Sequence, residues 1–382
     1  MSAPATCPRQ PPRNTTGTHD PVLEIDLSAV AANTRHFAHT AGGEVLAVVK
    51  ADGFGHGLDG MARTALANGA TWLGATSIAE AVEARAADAD APVLSWLNPV
   101  DADVTTACGH RIDLAVPSGR HLAAVVEACT RSGYRARVHL QLDTGMARDG
   151  AAPDEWPELT AAARRAENAG HITVVGVMGH LPRAGEPGLP PNTTGPQELL
   201  HGVEMARQAG LRPSVRHLAA TAATLTDPDT HLDMVRIGAG LVGIDPSGST
   251  RLGSALRLTA PVVQVRRVPA GTGIGYGHTH VTDRATTLAL LPIGYADGLP
   301  RAASNRAQVM VASRWCPVLG MISMDQLVVD LGDQPVDPDT EAVVFGPGDD
   351  GEPTVDDWAH WAGTIPHEIV TGIGHRVRRS IR

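Results

Sequence analysis

Val45-Leu46-Ala47-Val48-Val49-Lys50-Ala51-Asp52-Gly53-Phe54-Gly55-His56-Gly57 runs five apolar residues into a lysine and then into a glycine-rich turn. Residues 45–49 read as a buried strand, because the run is short, continuous, rich in valine and closed by turn residues. Similar runs recur at 71–75, 92–96, 112–116, 138–142, 174–178, 215–218 and 234–237. Between them lie Ala-rich stretches of helix formers, such as 77–87, 122–130, 158–169 and 198–209, which end near Gly or Asn. Eight strands with helical crossovers, at about 25 residues per unit, predict an α/β chain folded as a (β/α)8 TIM-type barrel. A doubly wound open sheet is the alternative.

Past Pro246-Ser247-Gly248-Ser249 the character of the chain changes. The runs 261–268, 286–291, 307–311, 327–331 and 342–345 are β-branched, separated by Gly, Pro and Asp, and show almost no helical periodicity. They predict a C-terminal all-β domain. Val22-Leu23-Glu24-Ile25-Asp26-Leu27 alternates apolar and acidic residues ahead of the first barrel strand and is a candidate to pair with that domain. The expected division is a disordered tail over 1–20, the barrel over 21–253 and the β domain over 254–382.

Charge and composition exclude several classes. The 382 residues carry a net charge of -10, with acidic and basic residues interspersed, so no basic stripe points to nucleic acid or an anionic membrane. Cys7, Cys108, Cys129 and Cys316 form no CxxC, which predicts neither a disulfide framework nor a zinc site. No apolar run reaches the roughly 18 residues needed to span a bilayer. The Pro/Thr/Arg-rich start lacks the apolar stretch of a signal peptide. The expectation is a cytoplasmic protein, in which the Asn14 and Asn192 sequons carry no meaning.

Lys50 is the single lysine beside thirty arginines. An ε-amine in a desolvated site can lose its proton and form an imine, which a guanidinium cannot do. At the carboxyl end of a barrel strand, Lys50 therefore reads as a Schiff-base lysine. His217-Leu218-Ala219-Ala220-Thr221 and Arg236-Ile237-Gly238-Ala239-Gly240 close the seventh and eighth strands. Barrels often bind phosphate there, and Thr221 with the amides of Gly238 and Ala239 would form such a cup, although alone these glycines fit a simple tight turn. A phosphate cup opposite a Schiff-base lysine is what pyridoxal 5′-phosphate needs. Arg148, in the polar turn after His139-Leu140-Gln141-Leu142-Asp143, is either a bidentate carboxylate clamp or a solvated arginine. Gly273-Ile274-Gly275-Tyr276-Gly277 does not fit GxGxxG and opens no helix, so a dinucleotide site is rejected. His278 and His280 lack further ligands and read as surface residues, with no metal site.

Taken with Ile293-Gly294-Tyr295-Ala296-Asp297-Gly298 and Ser323-Met324-Asp325-Gln326, these motifs occur in an order that resembles the alanine racemases, from Glu24 to Thr371. The resemblance implies a pyridoxal-phosphate isomerase interconverting L- and D-alanine, a small amino-acid substrate, and a homodimer with shared active sites. Lys50 would carry the cofactor and serve one face of the substrate α-carbon, and Tyr276 from the partner subunit the other. His217 would support Arg236, which would hydrogen-bond the pyridine nitrogen; a permanently charged donor leaves that nitrogen unprotonated and favours reprotonation over transamination. Barrel decarboxylases of similar fold place a carboxylate there, which Arg236 argues against. Arg148 and the Met324 amide would bind the substrate carboxylate, His180 would line the cofactor ring, Tyr295 would narrow the entrance, and His375 would lie at a gate and phosphate position.

Four residues depart from the family's usual pattern. Gln141 stands where many relatives carry a carbamylated lysine, and is expected to accept a hydrogen bond from Arg148 without balancing its charge. Phe54 replaces a tyrosine whose hydroxyl reaches the phosphate, a loss of about 1.5–3 kcal/mol. Ala220 and His375 replace Asn and Tyr. A racemase for another small amino acid, and a cofactor-binding protein without turnover, stay open as alternatives.

Overall fold

The computed structural model describes residues 20–186 and 189–382, so the expected tail lies outside it except for Asp20. The first nine strands are β1 (Val22–Ile25), β2 (Glu44–Val48), β3 (Trp72–Ala75), β4 (Val93–Ser95), β5 (Ile112–Val116), β6 (Ala136–Gln141), β7 (Ile172–Met178), β8 (Val215–Ala220) and β9 (Met234–Ile237). Strands β2 to β9 close a parallel barrel in chain order. Closure occurs where β9 returns to β2, with Val235 beside Val45 and Arg236 beside Leu46. That pairing rules out the open sheet. Continuous apolar runs become barrel strands because such strands are covered on both faces, by the barrel interior and by the outer helices. Leu46, Leu73, Leu94 and Leu140 are fully buried, each contributing about 1.5–3 kcal/mol of transfer free energy.

Local chemistry sets the crossovers. Ser77 and Ser118 cap the helices Ile78–Ala87 and Gly119–Ser132 by accepting the backbone N–H of Glu80 and His121. Inside the barrel, missing side chains make room for large ones. A Cβ on Gly74 would sit 2.4 Å from Leu46 and 2.6 Å from Trp96, and one on Gly176 would sit 2.3 Å from Nδ1 of His139.

Strand β1 belongs to the second domain. It pairs antiparallel with Leu256–Pro261 and parallel with Arg378–Ile381. The nine-stranded sheet runs Gln264–Val268, Thr286–Leu291, Leu327–Gly332, Arg314–Leu319, Gln308–Val311, Glu341–Phe345, Leu256–Pro261, β1 and Arg378–Ile381. A small hairpin of Gly273–Ile274 with His280–Val281 projects from it.

The C-terminal domain also holds helix, which the weak periodicity of its sequence did not suggest. Val355–Ala362 and Pro366–Gly372 are α-helices. The first starts at a capping box, with Thr354 accepting from the Asp357 amide and Asp357 accepting from the Thr354 amide. That Thr-x-x-Asp pattern was the available signal. The second helix leans on the turn after Lys50, where a Cβ on Gly55 would meet the Val370 carbonyl at 2.7 Å.

Candidate active site

Directly after β2, residues 51 to 54 all adopt left-handed backbone angles, with φ of 54° at Ala51, 52° at Asp52, 62° at Gly53 and 58° at Phe54. Only Gly53 does so without steric cost; for the others the conformation costs about 1–2 kcal/mol per residue. Hydrogen bonds hold the turn. The Gly53 amide donates to Val49 (2.9 Å), Gly55 to Ala51 (2.9 Å), Leu58 to the Asp52 carboxylate (2.8 Å), and Ala51 to the Glu80 carboxylate (2.6 Å). The turn fixes Lys50 at the strand end and directs Phe54 into the barrel mouth.

Lys50 faces a cavity of about 460 Å³ that also takes in Arg148, His180, Thr221, Arg236, Gly238 and Ala239. Seven of the residues expected to act together are thus brought together. Burial first, and then the charge of Arg148, hold the Lys50 amine below its ordinary range against a smaller opposite pull from Glu80. Among the described residues no carboxylate lines the cavity. Arg148 has no ion-pair partner among the described residues.

Arg236 is 5% exposed. Its Nη2 donates to the carbonyls of Gly179 (2.8 Å) and Leu218 (3.1 Å) and lies 3.1 Å from His180 Nδ1, while Nη1 lies 3.2 Å from His217 Nδ1. Burial draws its pKa down to about 10, so it remains a cation near neutral pH. Burial, followed by the charges of Arg236, Arg148 and Lys50, pushes His180 to about 3. His180 is therefore a neutral acceptor.

In the same cavity, Ala220, Thr221, Ala222, Gly238 and Ala239 form a wall of small residues. Thr221 Oγ1 accepts the Gly240 amide at 3.0 Å, rather than standing beside the Gly238 and Ala239 amides alone. A Cβ on Gly238 would collide with the Phe54 ring at 2.7 Å, which requires glycine there. This cradle of small residues, together with three cations and no lining carboxylate, fits an anionic ligand bearing a phosphate.

Several expected residues fall elsewhere. Tyr276, Met324 and Tyr295 are 75%, 53% and 39% exposed and are not part of the cavity wall. The loops of Tyr295 and Met324 are tied together, because the Tyr295 amide donates to Ser323 (3.0 Å), Ala296 to Met324 (2.9 Å), and Arg376 bridges Asp297 (3.2 Å) and Asp325 (2.7 Å). His375 sits in an exposed turn outside the wall. The wall on that side is made by His367 and Thr371, since the helix Pro366–Gly372 faces Phe54 and the chain then turns away at Gly374, whose amide donates to Asp297. Gln141 lines the cavity, but its Oε1 is buried without a hydrogen-bond partner, so the expected bond from Arg148 is absent.

Comparison with known proteins settles the kinship. The family model for the alanine racemase N-terminal domain matches residues 25–246, and that for the alanine racemase C-terminal domain matches 255–381. The chain belongs to the alanine racemase family. The alanine racemase of Thermobifida fusca (strain YX) is 47% identical over 359 residues, covering 93% of this chain and 96% of that protein. The solved alanine racemase of Streptomyces coelicolor A3(2) superposes with a TM-score of 0.92 at 44% identity, over 95% of this chain and 98% of that one. The alanine racemase of Bartonella henselae, solved with covalently bound pyridoxal phosphate, gives 0.87 at 26% identity over 95% and 99%.

The residues that sequence reading passed over lie below the cavity. His139 was noted only as part of a motif, and Asp113 not at all; both are buried and linked to His217. The signal was a polar residue inside an apolar strand, as in Ile112-Asp113-Leu114, and the two-residue spacing of His139 and Gln141 on one face of β6.

Proposed function

We propose that the chain interconverts L- and D-alanine with pyridoxal 5′-phosphate as cofactor and acts as a homodimer with shared active sites. The observation that carries this reading is the pairing of a single, desolvated lysine with a buried, carboxylate-free Arg236 in one barrel cavity. Thr221, Gly238 and Ala239 would hold the phosphate, His180 would flank the ring, and Arg236 would donate to the ring nitrogen. Bound there, the cofactor supplies an electron sink for charge developing at the amino-acid α-carbon.

The chain's own groups do the rest. Arg148, without a carboxylate partner of its own, binds the substrate carboxylate, joined by the Met324 amide of the partner subunit. The Lys50 amine, partly desolvated and beside another cation, takes or returns a proton on one face. Inversion needs a second acid or base on the other face, and Tyr276 of the partner subunit fits that role. Its exposure in one chain accords with a side chain that completes a neighbour's site. Tyr295 would narrow the entrance. Arg236 offers only donors and stays charged, so it cannot give the ring nitrogen a full proton; this restrains the sink and favours simple proton return.

A cytoplasmic setting accords with Cys108 and Cys129, which are neighbours yet unbridged. Among the described residues no helix is long and apolar enough to cross a membrane. The test is α-proton exchange in D2O, with loss of optical rotation, across a panel of L- and D-amino acids. Alanine should exchange fastest in both directions. Faster exchange of another small amino acid would reassign the substrate, and binding without any exchange would end the enzymatic reading.

A further inference from the structure

Beneath Arg236 a line of buried polar groups crosses the barrel interior, and nothing in the reading above uses its lower half. Arg236 Nη1 lies 3.2 Å from His217 Nδ1, His217 Nε2 lies 2.9 Å from His139 Nδ1, and His139 Nε2 lies 3.4 Å from Asp113 Oδ2. Arg137 grips Asp113 from outside with two bonds of 2.8 and 3.1 Å. His139 and His217 are fully buried and Asp113 is 1% exposed. The barrel is shaped around this line. Gly176 leaves space for the His139 ring, which also meets Trp72 edge-on at 5.6 Å.

We propose that Asp113 and His139 are positioning residues for Arg236, locking His217 in the one tautomer that presents a lone pair to the guanidinium. The lock follows from what each end can and cannot do. A guanidinium only donates, so His217 Nδ1 must accept, and its proton sits on Nε2. That N–H donates to His139 Nδ1, which puts the proton of His139 on Nε2, facing Asp113. A carboxylate only accepts, so the order is consistent from end to end. The reverse order sets N–H against N–H at Arg236 and lone pair against lone pair at Asp113. Both ends therefore select the same direction.

The ionisation states agree with that arrangement. Burial raises the Asp113 carboxyl, but hydrogen bonds from His139 and Arg137 outweigh it and leave the group below its ordinary range. Burial, then the neighbouring His139 and Arg236, drive His217 well below its ordinary range, so it stays neutral. The lock thus runs from a buried cation to a buried anion through His217 and His139. An Arg236 that turned freely would meet the ring nitrogen poorly, so the inference rests on the functional reading in one respect: that Arg236 addresses the cofactor ring.

Asp113→Asn is the informative variant. Its amide has nearly the same shape but can also donate, so it removes the selection at the lower end and leaves Arg236 alone to hold the order. The measurement is 15N NMR of the cofactor-loaded protein labelled at histidine, compared with steady-state kinetics. In the unaltered protein both His217 and His139 should be neutral with the proton on Nε2. Asp113→Asn should populate the Nδ1–H form and lower kcat roughly tenfold or more, while KM for alanine changes by less than about twofold. A proton on Nδ1 of either histidine in the unaltered protein overturns the proposal, with no variant needed. So does an Asp113→Asn protein with unchanged tautomers and unchanged kcat. The expected tautomers without alanine turnover in the unaltered protein would leave the lock standing and fail the functional reading instead.

Discussion

Arg236, at the base of the cavity, is 5% exposed and held by four partners, whereas Tyr276, on the loops of the C-terminal sheet, is 75% exposed and stands outside its own chain's cavity. The barrel mouth is organised within one chain. Its cation is desolvated and oriented before any ligand arrives, which is where electrostatic preorganisation has most effect. The sheet's loops are rigid in another sense. The hydrogen bonds joining the Tyr295 and Ser323–Met324 segments, with Arg376 across Asp297 and Asp325, fix the loops to each other but not to a site. A chain built this way carries half of a site in finished form and the other half on display, which is the arrangement expected if a second copy supplies the missing face.

The strongest attempt to break this contrast removes the amine. Lys50→Arg keeps a cation in the cavity but no nucleophile, and should lower turnover by about three orders of magnitude or more. Borohydride should attach the cofactor to Lys50 in the unaltered protein and to nothing in the variant. Normal turnover in Lys50→Arg would show that the barrel half does not hold the chemistry.

On the displayed half, Tyr276→Phe should cost about 10²–10⁴ in turnover while leaving the absorption of bound cofactor unchanged. Mixing it with Lys50→Ala chains sharpens the point. Half the dimers would be hybrids, each with one intact site, so activity should return to about a quarter of normal. No recovery after subunit exchange, or full activity in a monomer, would assign both halves to a single chain.

A smaller effect is expected at Phe54. The ring edge points at Gly238, so Phe54→Tyr brings a hydroxyl to the small-residue wall. Cofactor should bind about ten- to a hundredfold tighter, corresponding to about 1.5–3 kcal/mol. Equilibrium dialysis showing unchanged or weaker binding would move the phosphate elsewhere in the cavity.

The smallest change is expected at Gln141, whose buried Oε1 is unpartnered. Gln141→Lys offers an amine that bicarbonate can carbamylate beside Arg148, and KM for alanine should fall about two- to fivefold with added bicarbonate. The unaltered protein should ignore bicarbonate, and a response there would mean that this part of the mouth is misread.

How far the sequence reveals this molecule depends on the kind of pattern involved. The barrel strands were legible because each is a short segment of three to seven residues, most of them chiefly apolar, and all eight fall where those segments lie. Lys50 was legible by its rarity. The pairing of β1 with the second domain was suggested by the alternation in 22–27 and is seen against Leu256–Pro261. The histidine line was not legible, because Asp113 and His139 are single letters in strands that look apolar, and their meaning lies in contacts spanning 26 and 78 residues of chain. The exchange of His375 for His367 and Thr371 at the cavity wall escaped for a related reason. It depends on where the helix Pro366–Gly372 ends against Phe54, a matter of tertiary packing that no local periodicity records.

A chain with one lysine, and that one inside the cavity, also has an unusual relation to laboratory chemistry. Reagents that tag or crosslink proteins through ε-amines meet no decoy on its surface. Coupling to an aldehyde resin or an activated ester can proceed only at the chain's α-amine or within the site itself. Labelling at Lys50 therefore becomes a direct count of open sites, and cofactor should protect it in proportion to occupancy. Immobilisation by the usual amine routes would in turn preserve activity only where it takes the α-amine, and the many surface arginines would offer it no other anchor.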